Sequence, residues 1–151
     1  MSGTVRRATA DDAAVLRALT RAAYAKWVPL IGREPRPMAA DYEAAVQVHR
    51  FDVLEEDGEV IALIETVDEG DVLLIENVAV DPDHQSLGHG RRLLALAEDI
   101  ARELGRPRVR LYTNQRFEVN IALYRRLGYA IDGEEDFGGG SVAVHMSKAV
   151  A

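Results

Sequence analysis

The stretch that most constrains this chain joins a strand-like run, Val72 to Val80, to an amphipathic helical stripe through a short loop containing glycine. Leu93, Leu94, Ala97, Ile100, Ala101 and Leu104 recur at helical spacing. Gly105 stands where a helix closes, Pro107 lies just beyond, and Arg108 to Thr113 reads as the next strand. Strand, helix and strand in that order make a β-α-β crossover, which commits this part of the chain to a sheet covered by a helix.

The rest of the chain is hairpins and helices. Val5 to Ala8 reads as a first strand. Thr9 is placed to cap a helix, with Asp12 three residues on. Val15, Leu16, Leu19, Ala22, Ala23 and Trp27 repeat at helical spacing, and Pro29 is expected to stop that helix. A loop from Val28 to Met38 and a second helix from Ala39 to Val48 follow. Phe51 to Glu56 and Val60 to Val67 are strands joined by Asp57-Gly58, a two-residue hairpin signal. Phe117 to Leu127 is helical and ends at Gly128. Tyr129 to Glu135 and Val142 to Ser147 are the last strands, joined through Gly138-Gly139-Gly140. The expected order is β-α-α-β-β-β-α-β-α-β-β. It describes an α/β (α+β) fold, a mixed and mostly antiparallel central sheet with helices on both faces.

The 151 residues suit one domain spanning 1–151. There is no cysteine, hence no disulfide, thiolate metal site or cysteine nucleophile. A net charge of −7 argues against nucleic acid as a partner, because phosphate contacts need a basic patch. It also attracts cationic partners weakly at long range. No apolar run reaches the length of a membrane span, and the first residues lack a signal-type apolar stretch, so no membrane partner and a cytoplasmic setting are expected.

Within the loop, Gly88-His89-Gly90-Arg91-Arg92 opens the helix. A first helical turn offers unpaired N–H groups and partial positive charge, and glycine lets a ligand approach the backbone. Such a mouth is an anion cradle. Arg91 and Arg92 oppose the helix dipole by roughly 0.3–1 kcal/mol each, a cost that a bound polyanion reverses. A dinucleotide fingerprint would need a third glycine where Leu93 stands, and no Gly-Lys-Ser/Thr of a P-loop is present.

Gln85-Ser86-Leu87-Gly88-His89-Gly90 resembles the acetyl-CoA signature Arg/Gln-x-x-Gly-x-Gly/Ala of the GNAT superfamily of N-acetyltransferases. Leu123-Tyr124-Arg125-Arg126-Leu127-Gly128-Tyr129 resembles the family's Leu-Tyr-x-x-Leu-Gly-Phe/Tyr block. The order of elements fits that fold over nearly the whole chain. The resemblance implies acetyl-CoA as cofactor, with CoA as product. Its pyrophosphate would lie on backbone N–H groups of Gln85, Ser86, Leu87, Gly88, His89, Gly90 and Arg91, with Arg91 or Arg92 near a phosphate. Its pantetheine would pair with the strand Val78-Ala79-Val80. Many members carry asparagine where this chain has Phe117. Asn120, one turn before Tyr124, or Asn114 would then supply the cofactor contact.

The implied reaction is direct attack of an amine on the thioester, with no covalent enzyme intermediate. Tyr124 is the candidate acid for the leaving thiolate: a thiol titrates near ~8.5 and tyrosine near ~10. The other reading of Tyr124 is a core ring over Leu127. Glu76 is the candidate base, placed by strand alternation on a face with Val72, Leu74, Val78 and Val80, where desolvation would raise its pKa. A glutamate at a bulge or facing solvent is the competing reading. The spacing of His49, His84, His89 and His145 does not resemble a metal site.

In this fold the acceptor site lies between the first two helices and the last hairpin. That points to Tyr24, Trp27, Arg33, Met38 and Tyr42, together with Phe137 and the three glycines. The aromatic side chains would hold a cationic amine or else belong to the core, and Arg33 or Arg36 would hold a carboxylate. The partner is a small-molecule or peptide amine, and a homodimer is among the assemblies the resemblance allows. Two rivals stand beside an enzyme: a non-catalytic acyl-CoA sensor of the same fold, and an unrelated phosphate-binding α/β protein.

Overall fold

The computed structural model describes residues 3–150. One seven-stranded sheet runs β1 (Thr4–Arg7), β2 (Arg50–Glu56), β3 (Glu59–Asp68), β4 (Leu73–Val80), β5 (Arg108–Asn114), β7 (Ser141–Ala149) and β6 (Ala130–Gly138) across its width. Every neighbouring pair is antiparallel except β4 and β5, the two arms of the crossover. Asp57 (φ 53°) and Gly58 (φ 79°) both take positive φ, the geometry a tight two-residue hairpin requires between β2 and β3.

Helices cover both faces. On one side α1 (Ala13–Tyr24) and α3 (Tyr42–Val48) bury Leu16, Leu19 and Tyr42 against Phe51, Val53, Leu63 and Ala79. On the other, α4 (His89–Leu104) and α5 (Glu118–Arg126) bury Leu93, Leu94, Ile100 and Tyr124 against Ile64, Ile75, Leu111 and Met146. The buried residues of α4 lie on one stripe, and Gly105 (φ 74°) ends the helix left-handed. Asp12 accepts the Thr9 N–H at 2.8 Å and holds the Arg6 guanidinium at 2.9 Å, which ties β1 to the start of α1. Among the described residues no helix is long and apolar enough to cross a membrane.

Three expectations change. Pro29 does not open a loop. The first helix ends at Tyr24, and Pro29 sits in the first turn of a short helix, α2 (Val28–Ile31), where a missing N–H costs nothing. The next helix begins at Tyr42 rather than Ala39, because Asp41 caps it by accepting the Ala44 N–H.

The third change is in β4. Thr66 pairs with Ile75 and Glu65 with Asn77, so Glu76 is an extra, unpaired residue at a β-bulge. The bulge switches the alternation. Leu73 and Ile75 before it, and Val78 and Val80 after it, pack on the α4 side, while Asn77 and Ala79 turn to α1 and α3. Leu74 and Val78 therefore do not share the face that uniform alternation assigns to them.

Candidate active site

β4 pairs with β5 only from Leu73–Val109 to Ile75–Leu111. Beyond Ile75 the strands part, and the opening continues into a cleft of about 1510 Å³. Its walls are β4, the end of β5, the mouth of α4, α5, and a roof formed by residues between α1 and α3 together with the β6–β7 hairpin. The Asp81 N–H returns to the Ile61 carbonyl of β3 at 2.8 Å. Alternate residues of a strand direct both main-chain groups to the same side, so Val78 and Val80 turn theirs to the open edge. Ala79 turns its main chain to β3 and its side chain to the core.

The loop after β4 is held in one shape. The Gln85 amide donates to the Val80 carbonyl at 3.1 Å and accepts from Lys26 Nζ at 3.1 Å. Ser86 (φ 67°) and Gly88 (φ 87°) are both left-handed, which turns the chain into α4. Leu87, between them, is exposed. No side chain caps α4, so its first N–H groups remain available at the cleft. Gly88, His89, Gly90 and Arg91 line this end. Arg92 instead bonds the Gly3 carbonyl at 3.2 Å, so only Arg91 of the two arginines faces the cleft.

On the α5 wall, Asn120 and Tyr124 stand one turn apart. Burial pushes the Tyr124 phenol up to about 12. Its ring also meets Tyr129 edge-on at 5.9 Å, so it is at once a core residue and a cleft residue. The Asn120 side chain has no hydrogen-bond partner among the described residues. Asn114 uses its side-chain oxygen to accept the Arg116 N–H at 2.9 Å. Phe117 stacks on Trp27, with ring centroids 4.4 Å apart.

On the opposite wall the bulged Glu76 accepts a hydrogen bond from the Tyr112 hydroxyl at 2.8 Å. Burial and the adjacent Glu76 raise the Tyr112 phenol to about 12. Glu65 also lines the cleft and is paired with His49 Nδ1 at 2.6 Å; burial raises its carboxyl above the usual range. Asn77 is buried next to the bulge. It accepts from the Tyr24 hydroxyl at 2.7 Å and donates to Thr20 and Tyr42. Tyr112, Glu65, His49 and Asn77 escape a reading of the sequence. The one trace they leave is the polar pair Glu76-Asn77 interrupting an apolar strand.

The roof residues divide. Tyr24 spends its hydroxyl on Asn77 and the Val78 carbonyl. Tyr42 is fully buried and donates to the Pro37 carbonyl at 2.7 Å. Met38 is buried away from the cleft, with its carbonyl bonded by Arg21, so it packs the roof and does not line the site. Arg33 donates to the Ser141 hydroxyl, and the Arg36 guanidinium lies over the Phe137 ring at 5.9 Å.

The fold and cleft define a protein whose one cleft has two ends: an uncapped helix mouth, and a pocket lined by carboxylates and tyrosines. The chain belongs to the acetyltransferase (GNAT) family, which matches residues 16–129. It is 39% identical over 105 residues to an S-(2-succino)cysteine N-acetyltransferase of Bacillus subtilis, a match spanning 64% of each chain. It thus spans just under two thirds of that relative's length. Two solved structures have the same fold. One is the PaiA N-acetyltransferase of Thermoplasma acidophilum in complex with coenzyme A (TM-score 0.77, 20% identity, 99% of both chains). The other is the ribosomal-protein-S18-alanine N-acetyltransferase of Escherichia coli (TM-score 0.76, 21% identity, 99% of this chain and 94% of that one).

Proposed function

We propose that this protein transfers an acetyl group from acetyl-CoA to a primary amine by direct attack within a ternary complex. One observation carries the reading: β4 parts from β5 at the bulge, and the same cleft then holds a strand edge that no other strand pairs, the uncapped helix mouth, Tyr124 and Glu76. The residues present fit acetyl-CoA. The first-turn N–H groups of α4 and Arg91 suit a pyrophosphate, the outward main-chain groups of Val78 and Val80 suit the pantetheine amides, and Asn120 is free to add a side-chain contact. When bound, acetyl-CoA supplies the activated acyl group as a thioester.

The chain's own groups supply the proton handling. Tyr124 stays protonated at neutral pH and offers its O–H to a sulfur that is gaining charge. Glu76 stands at the other wall as acceptor of the ammonium proton, directly or through water, with Tyr112 orienting it. Thiol release from acetyl-CoA over a panel of amines tests the proposal, together with melting in acetyl-CoA, ATP and NAD. Turnover with selective stabilisation by acetyl-CoA is expected. Stabilisation by acetyl-CoA without turnover of any amine would instead indicate a sensor, and stabilisation by ATP or NAD alone an unrelated phosphate-binding protein.

A further inference from the structure

Carboxylates outnumber cationic side chains here, 25 to 18. Outside the cleft, among the described residues, seven arginines hold a carboxylate, while others, such as Arg108 and Arg116, bond a hydroxyl or a carbonyl. Arg17 holds Glu43, Arg21 holds Glu34 at 2.7 Å, Arg50 holds Asp52 and Arg110 holds Glu69. The three arginines that line the cleft, Arg33, Arg36 and Arg91, have no carboxylate partner among the described residues. Glu34 lies between Arg33 and Arg36 in sequence, yet it turns to Arg21. Three such cations gathered on one concave surface of an acidic chain make a place for anions from outside.

Arg91 stands at the helix mouth and belongs with the cofactor phosphates. Arg33 and Arg36 stand on the roof, at the other end. The Arg36 guanidinium lies on the face of Phe137, a contact that uses none of its in-plane N–H donors. Arg33 spends donors on the Ser141 hydroxyl and the Glu34 carbonyl and keeps others. Both are thus positioned by the β6–β7 hairpin with donor groups left over for a planar anion. The floor below carries the opposite sign: Glu76, held by Tyr112, and Glu65, held by His49. The two subsites face one cleft: Arg33, Arg36, Tyr112 and Glu76 all line it.

We infer that the acceptor is a zwitterionic amine of amino-acid type, its carboxylate held by Arg33 and Arg36 and its amino group lowered toward Glu76. This rests on the acetyltransferase reading and narrows its substrate. A polyamine would meet two unmatched guanidinium groups at the roof and is disfavoured by like charge.

The test compares α-amino acids with their own carboxamides, which keep the amine and lose only the carboxylate. Rates of acetyl-CoA-dependent thiol release are referred to the free-base amine at each pH. The acids are expected to exceed the amides by about 10–100-fold in kcat/KM, the range for charge-assisted bidentate contacts. Arg36→Gln and Arg33→Gln should each shrink that ratio, the double variant should bring it near one, and Arg36→Lys should restore part of it. Undiminished CoA affinity in the variants shows that the fold is intact. Amides used as well as acids, or a preference surviving the double variant, overturns the inference. Melting of the CoA-loaded protein with the same acid and amide pairs reads the preference without turnover. Acid-selective stabilisation with no turnover would therefore sink only the transferase reading.

Discussion

Tyr124 works through its surroundings. Burial alone raises its phenol to about 12, so it is protonated at neutral pH, and its proposed part is an O–H hydrogen bond to the leaving sulfur. Tyr124→Phe is expected to lower kcat by about 10²-fold or more while the affinity for acetyl-CoA changes little. An unchanged kcat would leave Tyr124 a core residue only. Glu76→Gln is expected to reduce kcat/KM for the amine and to alter its pH profile. A profile that stays superimposable on that of the parent removes Glu76 from proton transfer. The two glycines of the loop separate conformational need from space. Gly88 has φ 87°, and a side chain there costs about 1–2 kcal/mol; Gly90 is not left-handed, and a Cβ would meet only Val80 Cγ2 at 3.9 Å. Gly88→Ala should therefore weaken acetyl-CoA binding several-fold in calorimetry, and Gly90→Ala should be nearly neutral.

Among elements, β4 does the most to build the cleft. Its first three residues hold β5, its bulge ends that pairing, and its last residues present an edge that β5 does not pair. The helix that follows must be seated firmly for its mouth to serve the proposed phosphate contact, and Leu93, fully buried three residues after Gly90, seats it. Leu93→Ala is expected to cost about 2–5 kcal/mol in urea unfolding, through lost burial and a residual cavity. A cost under 1 kcal/mol would mean that the start of α4 is held by something other than its core face. The roof is built from distant segments: Trp27 on Phe117, Arg116 on the Leu30 carbonyl, Arg33 on Ser141.

Across the whole molecule, several ion pairs link separate segments. Arg6 pulls the Asp12 carboxyl down to about 2, and Arg106 does the same to Asp68. A carboxyl depressed by folding stabilises the native state above its unfolded pKa, and that contribution is lost as pH falls toward the folded value. Stability should thus fall between about pH 4 and pH 2, most of it through Asp12, whose partnership is less exposed. Urea unfolding of Asp12→Asn across this range should show a shallower acid decline than the parent. An equal decline would assign the acid loss to other groups.

The elements were legible because their signals are local. The helical stripe from Leu93 to Leu104, the Asp57-Gly58 turn and the glycines at the mouth of α4 each depend on residues a few positions apart. The same holds for the loop with its two arginines. The sequence by itself determined the order of strands, the crossover and the glycine-rich mouth of α4, though not the short helix α2. Only the tertiary structure decided which side chains meet in the cleft. Tyr112 reaches Glu76 from 36 positions away, Tyr24 reaches Asn77 from 53, and Arg33 reaches Ser141 from 108. The face of each residue on β4 also depended on one extra residue at Glu76, which no local pattern announces. A strand repeats every two residues, so one inserted position exchanges its faces, and packing across the sheet decides where that position falls.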